Sequence, residues 1–162
     1  MLRLSVRHLA EIEDLVPFTA RAIAHAIGAE ATCALLNDFP GALLIVPRRV
    51  GAGDDAGRPA QSTLWSRVVA TLGEPAAGAL CAWRGGEPLQ IPVCQALRNE
   101  LRAREIRRRY DELTASSSLS GRQAVASLCA EFAPITSRAV EKMVARGDRG
   151  ESPSAQAQLS LL

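Results

Sequence analysis

Long apolar runs are missing from this sequence of 162 residues. Its uninterrupted apolar stretches fall well short of the ~18 residues that a membrane-spanning helix needs, so we expect no membrane partner. The first residues carry acids early and lack a continuous apolar segment, which argues against a secretory signal. Because 48% of the residues are hydrophobic and 22% are charged, wholesale disorder is excluded as well. The expectation is a cytoplasmic protein with a packed core.

Catalytic and metal-binding signatures are also scarce. The chain has four cysteines and two histidines, and no two cysteines have the C-x-x-C spacing. We therefore predict no metal site and no disulfide framework, and we interpret the cysteines as free thiols in the core. Neither a P-loop nor a G-x-S-x-G motif occurs. We expect no enzymatic activity, no catalytic residues and no cofactor.

Basic residues consist of 18 arginines and a single lysine, and their distribution is uneven. Residues 1–94 hold eight arginines and nine acids, a net charge of −1. Residues 95–146 hold ten basic residues and six acids, a net charge of +4. The last segment, 147–162, has one arginine and two acids. Excess positive charge in the C-terminal third indicates an anionic partner for that part.

An internal repeat dominates the first two thirds of the chain. Residues 22–48 align with residues 67–93 at a constant offset of 45, which brings Gly28 onto Gly73 and Pro47 onto Pro92. Each copy predicts two short helices separated by glycine, then a turn, then a short strand that proline ends. We predict repeat units of about 18–48 and 63–93, joined by a connector over 51–62. The fold class is therefore mainly α with short β-strands.

The two predicted strands are too short to be stable alone. Pairing Leu43–Val46 with Leu89–Ile91 about a pseudo-twofold axis would satisfy both strands and let the helices cover them. The pairing is predicted to be antiparallel, and the sequence leaves open whether it occurs within one chain or across a strand-exchanged dimer. Residues 1–94 are accordingly predicted to form a dimerisation-type domain.

A basic helix and a helix pair follow the repeat. Residues 93–113 combine an apolar stripe with many arginines, so they form either an ordinary solvated helix surface or a surface that binds phosphates. Residues 121–146 predict two helices of about ten residues each, joined by a turn of three to four residues, which fits a helix-turn-helix. The second helix begins at Thr136 or Ser137, since either is a good N-cap. Residues 95–146 are thus predicted to be a DNA-binding domain, and 147–162 a flexible tail.

Candidate DNA-binding residues lie on the outward face of the second helix and beside it. Short hydroxyls at its start and basic residues beyond suit base edges and phosphates. Arginines before this helix are placed to hold phosphates and fix the register. The full set comprises Arg107, Arg108, Arg122, Gln123, Thr136, Ser137, Arg138, Glu141, Lys142 and Arg146.

The segment GGEPLQIPVCQAL at 85–97, the basic stretch 104–110 and the following helix pair resemble the Mor transcription activator family of Mu-like phages. The resemblance covers roughly residues 67–146. It implies a helical dimerisation region with a short antiparallel strand pair, joined to a helix-turn-helix. It also implies a homodimer that binds promoter DNA and recruits the host RNA polymerase. This chain departs from the shortest members in carrying the helix-helix-strand unit twice, and from the family pattern at Ala133-Pro134.

We therefore expect a sequence-specific transcription regulator of phage or prophage origin, with an activator favoured over a repressor. Its partners would be double-stranded promoter DNA and the host RNA polymerase, and its location the cytoplasm and nucleoid of a bacterial host. The alternative is an assembly module, in which the basic helix docks on an acidic protein.

Overall fold

The computed structural model describes residues 3–50, 63–116 and 119–146. Within them the chain is mainly helical, with one two-stranded antiparallel sheet, which confirms the mainly α class with short strands. The chain divides into two compact units, Met1–Arg98 and Asn99–Leu162, where a domain boundary at 94 was predicted. The predicted connector 51–62 and the predicted tail 147–162 lie outside the described residues.

The first unit begins with α1 and a 3-10 turn, followed by two sets of two helices and a strand. Its elements are α1 (Val6–Glu11), the turn (Glu13–Leu15), α2 (Phe18–Ile27), α3 (Ala29–Asp38), β1 (Leu43–Ile45), α4 (Thr63–Leu72), α5 (Glu74–Arg84) and β2 (Pro88–Gln90). The remaining helices are α6 (Gln95–Ser116), α7 (Gly121–Glu131) and α8 (Ser137–Val144). The unit boundary falls inside α6.

Two glycines separate the paired helices of the first unit. Gly28 lies between α2 and α3 with φ 84°, and Gly73 lies between α4 and α5 with φ 77°. Side chains other than glycine rarely adopt such positive φ values, so glycine lets one helix end and the next begin without an intervening loop. Each glycine N–H donates to a carbonyl of the preceding helix, Ala24 and Val69 respectively.

The strands pair in one chain, as β1 against β2, with Leu44 directly opposite Leu89. The prediction of an antiparallel pair is confirmed, although both strands are three residues long and β2 begins one residue earlier than expected. Outside the ladder, the Gly41 N–H donates to the Ile91 carbonyl at 3.0 Å and the Gly86 N–H donates to the Val46 carbonyl at 2.7 Å. These two bonds join residues that are equivalent at the offset of 45.

Buried positions in the two helix-helix-strand sets also recur at that offset. Four such pairs fill the core of the first unit: Ile23 and Val68, Leu35 and Leu80, Leu44 and Leu89, Val46 and Ile91. Every member of these pairs is at most 4% exposed. The inner faces of the two sets therefore carry the same kind of side chain at the same place.

The second unit has its own core around Ile106, Val125, Leu128 and Val140. These residues come from α6, α7 and α8 and are nearly or fully buried. Tyr110, Phe132, Ile135, Met143 and Val144 pack against them. These buried and partly buried residues follow the helical spacing of apolar residues in the sequence, because they lie on the inner face of each of the three helices.

Candidate nucleic-acid interface

Helix α8 presents a polar outer face while its inner face packs on the core. Thr136 is its N-cap, and the Thr136 hydroxyl accepts a hydrogen bond from the Ala139 N–H at 3.3 Å. Val140 is fully buried, and Ala139, Met143 and Val144 are partly buried. The predicted residues on this helix and beside it are exposed, namely Thr136, Ser137, Arg138, Glu141, Lys142 and Arg146. The structure thus leaves six of the ten predicted residues exposed on α8 or directly beside its ends.

Helix α7 places Arg122 and Gln123 in its first turn, where both are exposed. The Gln123 Oε1 atom accepts hydrogen bonds from the Ser120 backbone N–H at 3.0 Å and from the Ser120 hydroxyl at 2.8 Å. The first of these bonds gives the Ser120 backbone N–H at the helix start an acceptor, as in a capping box. Gln123 therefore serves the helix start, and only its amide nitrogen is left for a ligand.

The link between α7 and α8 runs from Phe132 to Thr136 and contains a cis Ala133–Pro134 peptide bond. Phe132 is the C-cap of α7, so three residues separate the two capping residues. An open cavity of about 490 Å³ lies there, lined by Cys129, Ala133, Pro134, Ile135, Thr136 and Ala139. The lining is largely apolar and includes the capping residue of α8.

Arg107 was predicted to hold phosphate, but its side chain is only 12% exposed. The Arg107 Nη2 atom lies 3.0 Å from Glu100 Oε1, and the Arg107 Nη1 atom donates to the Met143 carbonyl at 3.3 Å. The neighbouring Arg102 turns inward as well, donating to the Phe132 carbonyl. Both guanidinium groups therefore bind protein groups of the second unit.

Arg108 is exposed, but carboxylates of its own helix surround it. Its guanidinium lies 2.6 Å from Glu105 and also pairs with Glu112. The hydrogen bond from Arg108 holds the pKa of Glu105 below its ordinary value, since it favours the charged carboxylate. Arg109 bonds to Glu112 and to Glu131 of α7 in the same way. The exposed arginines at this part of α6 are thus ion-paired with neighbouring carboxylates.

Four exposed cations in the described part of the second unit remain outside these contacts. Among the residues that the structure describes, no carboxylate pairs with Arg122, Arg138, Lys142 or Arg146. Arg138 and Lys142 are four residues apart, so they lie on the same side of α8. The positive charge that the composition assigned to 95–146 is therefore concentrated at α8 and at the start of α7.

Sequence reasoning missed the inward roles of Arg102 and Arg107. A signal was present for the paired arginines, because Glu105 and Glu112 stand three and four residues from Arg108. Carboxylate and guanidinium groups at that spacing face each other on a helix. Contacts from α6 to backbone carbonyls of other helices have no comparable sequence pattern.

Three of the four thiols, those of Cys33, Cys81 and Cys94, are buried as predicted, whereas Cys129 is partly exposed. All four are free, and burial raises the pKa of the three buried thiols. Over the described ranges no three His, Cys, Asp or Glu side chains gather in a way that could hold a metal ion. The same ranges contain no helix long and apolar enough to cross a membrane.

Comparisons with protein-family models, with curated proteins and with solved structures give no match for this chain.

Proposed function

We propose that this protein is a sequence-specific DNA-binding transcription regulator in which α7 and α8 form a helix-turn-helix and α8 is the recognition helix. The observation that carries the proposal is the outer face of α8, where exposed hydroxyls at the capped end are followed by cations without carboxylate partners in the described chain. A recognition helix meets base edges near its N-terminus and phosphates around it.

Each residue of this face has a role that its position suggests. Arg138 lies one residue inside the helix, where a guanidinium bound to guanine would read a base edge. Glu141 would accept a hydrogen bond from a cytosine amino group. Lys142, Arg146 and Arg122 lie farther along or beside the helix and would bind phosphates. Thr136 and Ser137 supply hydroxyls that can contact either.

Arg107 and Arg108 have no place in the proposed interface. Each guanidinium already binds a carboxylate of its own unit. A phosphate contact would have to replace those ion pairs, and breaking a partly buried pair leaves a charge without its partner. The exposed cations of α7 and α8 can bind phosphate at no such cost.

For the first unit we propose a duplicated helix-helix-strand unit that makes a pseudo-dimer within one chain. The register supports this, because Leu44 opposite Leu89 pairs residues that are equivalent at the offset of 45, as a twofold axis requires. The proposal extends to membership of the Mor transcription activator family, on the motif at 85–97 and the helix pair at 121–144. An activator of this kind would act on host RNA polymerase in the cytoplasm and nucleoid of a bacterium.

One chain carries one α8, so tight binding calls for two chains on a two-part DNA site about one helical turn apart. The β1 and β2 strands are already paired within the chain, and a homodimer would therefore form through another surface. The stoichiometry on DNA can be measured by sedimentation of the complex with a duplex of the selected sequence.

The function can be tested by selecting duplexes from a random pool and measuring gel shifts at two salt concentrations. We expect Arg138→Ala to cost roughly 1–3 kcal/mol on the selected duplex and to relax the preference at one base. We expect Lys142→Ala to weaken all duplexes alike and to lower the salt slope by about one contact. Arg108→Ala is the matched control, since it removes an exposed arginine whose guanidinium is bound to carboxylates, and it should leave binding nearly unchanged.

Retention of no duplex by the wild-type chain would overturn the proposal, and so would identical binding by all three variants. In that case the exposed cations would instead serve the assembly-module alternative. The affinity of the chain for acidic proteins would then be the quantity to measure.

A further inference from the structure

Helix α6 sends two arginine side chains to the carbonyl ends of the next two helices. Arg102 donates to the carbonyl of Phe132, the C-cap of α7. Arg107 donates to the carbonyl of Met143, the residue before the last residue of α8. Both contacts lie within the second compact unit. One helix thus holds the C-terminal ends of both helices of the proposed DNA-binding motif.

These carbonyls are suited to a guanidinium donor. The last carbonyls of a helix have no N–H partner within the helix, and the helix dipole makes that end partly negative. Because α8 ends at Val144, the Met143 carbonyl has no donor four residues on inside α8. The Arg107 N–H provides one, and the Arg107 side chain is in turn anchored at 3.0 Å by Glu100.

The contact matters because α8 is otherwise held mainly by apolar packing. Apart from Arg107, the described residues give α8 one weak side-chain polar contact to another helix, between the Ser137 hydroxyl and the Cys129 sulfur at 3.6 Å. It has eight residues, and its inner face consists of Ala139, Val140, Met143 and Val144. Apolar attraction has no preferred direction, so such a stripe resists separation more than it resists rolling or sliding. A hydrogen bond weakens steeply with angle and thereby fixes direction.

We propose that Arg107, anchored by Glu100, is a positioning residue that sets the orientation of α8 and so the register in which the outer face of α8 meets DNA. This inference rests on the proposed function for its effect on DNA, but its effect on α8 is independent of any ligand. Glu100 is 18% exposed and also lies 3.5 Å from Arg104, so the anchor is itself held within an ion-pair network. Arg102 makes the corresponding contact at the end of α7.

Arg107→Met tests the proposal, with Arg108→Met as the matched control. Both variants remove one positive charge from neighbouring positions of α6, but Arg107 is 12% exposed and reaches α8, whereas Arg108 is 56% exposed and pairs within α6. In the full chain without DNA, we expect Arg107→Met to speed hydrogen exchange of α8 amides by more than about tenfold and to change α7 amides less. Arg108→Met should change neither helix.

DNA binding supplies a second readout that separates positioning from phosphate contact. We expect Arg107→Met to reduce affinity for the selected duplex by about tenfold or more, with less effect on unrelated duplexes and an unchanged salt slope, because no phosphate contact is lost. Arg107→Lys keeps the charge but lacks the planar fork that reaches Glu100 and Met143 together. It should therefore bind DNA like Arg107→Met and not like the wild type.

Several results would overturn the proposal. One is α8 exchange that Arg107→Met leaves unchanged, and another is a salt slope lowered by about one contact together with full rescue by Arg107→Lys. If Arg107→Met does not fold, Glu100→Gln weakens the same anchor and should speed α8 exchange to a smaller degree; no change would again refute it. If the wild type binds no duplex, the proposed function fails, while the exchange comparison still decides the positioning role.

Discussion

Gly121, the first residue of α7, lies against the hydroxyl of Tyr110 on α6. A Cβ atom placed on Gly121 would lie 2.7 Å from the Tyr110 hydroxyl oxygen and 3.9 Å from the ring carbon that bears it. The first distance is shorter than a packed contact allows, and the second is an ordinary one. Gly121→Ala should therefore clash in the wild type and fit once the hydroxyl is removed.

Two opposing effects set the size of the change. Forcing an extra carbon into a packed site costs about 1–3 kcal/mol, and Tyr110 is packed against the core of the second unit. Replacing glycine by alanine at a compatible position stabilises by about 0.4–1 kcal/mol. We therefore expect Gly121→Ala to lower the free energy of unfolding by about 1–2 kcal/mol in the wild type. In the Tyr110→Phe background we expect it to raise that free energy by about 0.5 kcal/mol.

Hydrogen exchange of α7 amides in the full chain is a suitable assay. Both tryptophans, Trp65 and Trp83, belong to the first unit, so tryptophan fluorescence does not follow the second. Four proteins complete the comparison: the wild type, the two single variants and the double variant. The test is whether the effect of Gly121→Ala on the free energy of unfolding changes sign between the wild type and the Tyr110→Phe background. Equal destabilisation by Gly121→Ala in both backgrounds would refute the contact between Gly121 and Tyr110.

Three further predictions concern a helix cap, an ion pair and the thiols. Thr136→Ala should destabilise α8 by about 1 kcal/mol and Thr136→Ser should not, as measured by exchange of α8 amides; equal effects would exclude the capping role. Arg108→Met should raise the pKa of Glu105 towards its ordinary value in an NMR titration, because the hydrogen bond from Arg108 favours the charged carboxylate; an unmoved pKa would contradict the pairing. In the wild type, the lowered pKa contributes stability that is lost as the pH falls through it. A thiol reagent near neutral pH should modify Cys129 first, since the thiols of Cys33, Cys81 and Cys94 are buried. Faster modification of any of these three would contradict the described core.

The elements of the first unit could be predicted because glycine, proline and apolar residues recur at a fixed offset. Gly28 and Gly73 mark helix junctions that require positive φ, and Leu44 and Leu89 mark the inner face of each strand. Whether the strands pair within a chain could not be predicted, because the same ladder forms in either case. The outcome depends on what the connector permits and on the closure entropy of the loop, neither of which leaves a residue pattern.

The outer face of α8 was predictable for a similar reason. Its apolar residues follow helical spacing, so the residues between them must face outward, and a threonine before the helix predicts its start. The lengths were less certain, since α8 has eight residues where about ten were expected. End residues of a helix contribute few contacts, which makes its last turn depend on packing more than on the sequence of the helix itself.

The charge of the C-terminal third shows why counting charges along a segment does not locate a binding surface. Five arginines of α6 lie within one stretch of eight residues, 102–109, which made this helix the most basic part of the chain. Its glutamates stand three, four or seven residues from those arginines and bind four of them, Arg104, Arg107, Arg108 and Arg109. Arg102 and Arg107 reach backbone carbonyls. The helix α8 holds only two cations, yet neither has a carboxylate partner in the described chain. An anion competes with the partners a cation already has, so the fewer cations of α8 form the stronger candidate surface.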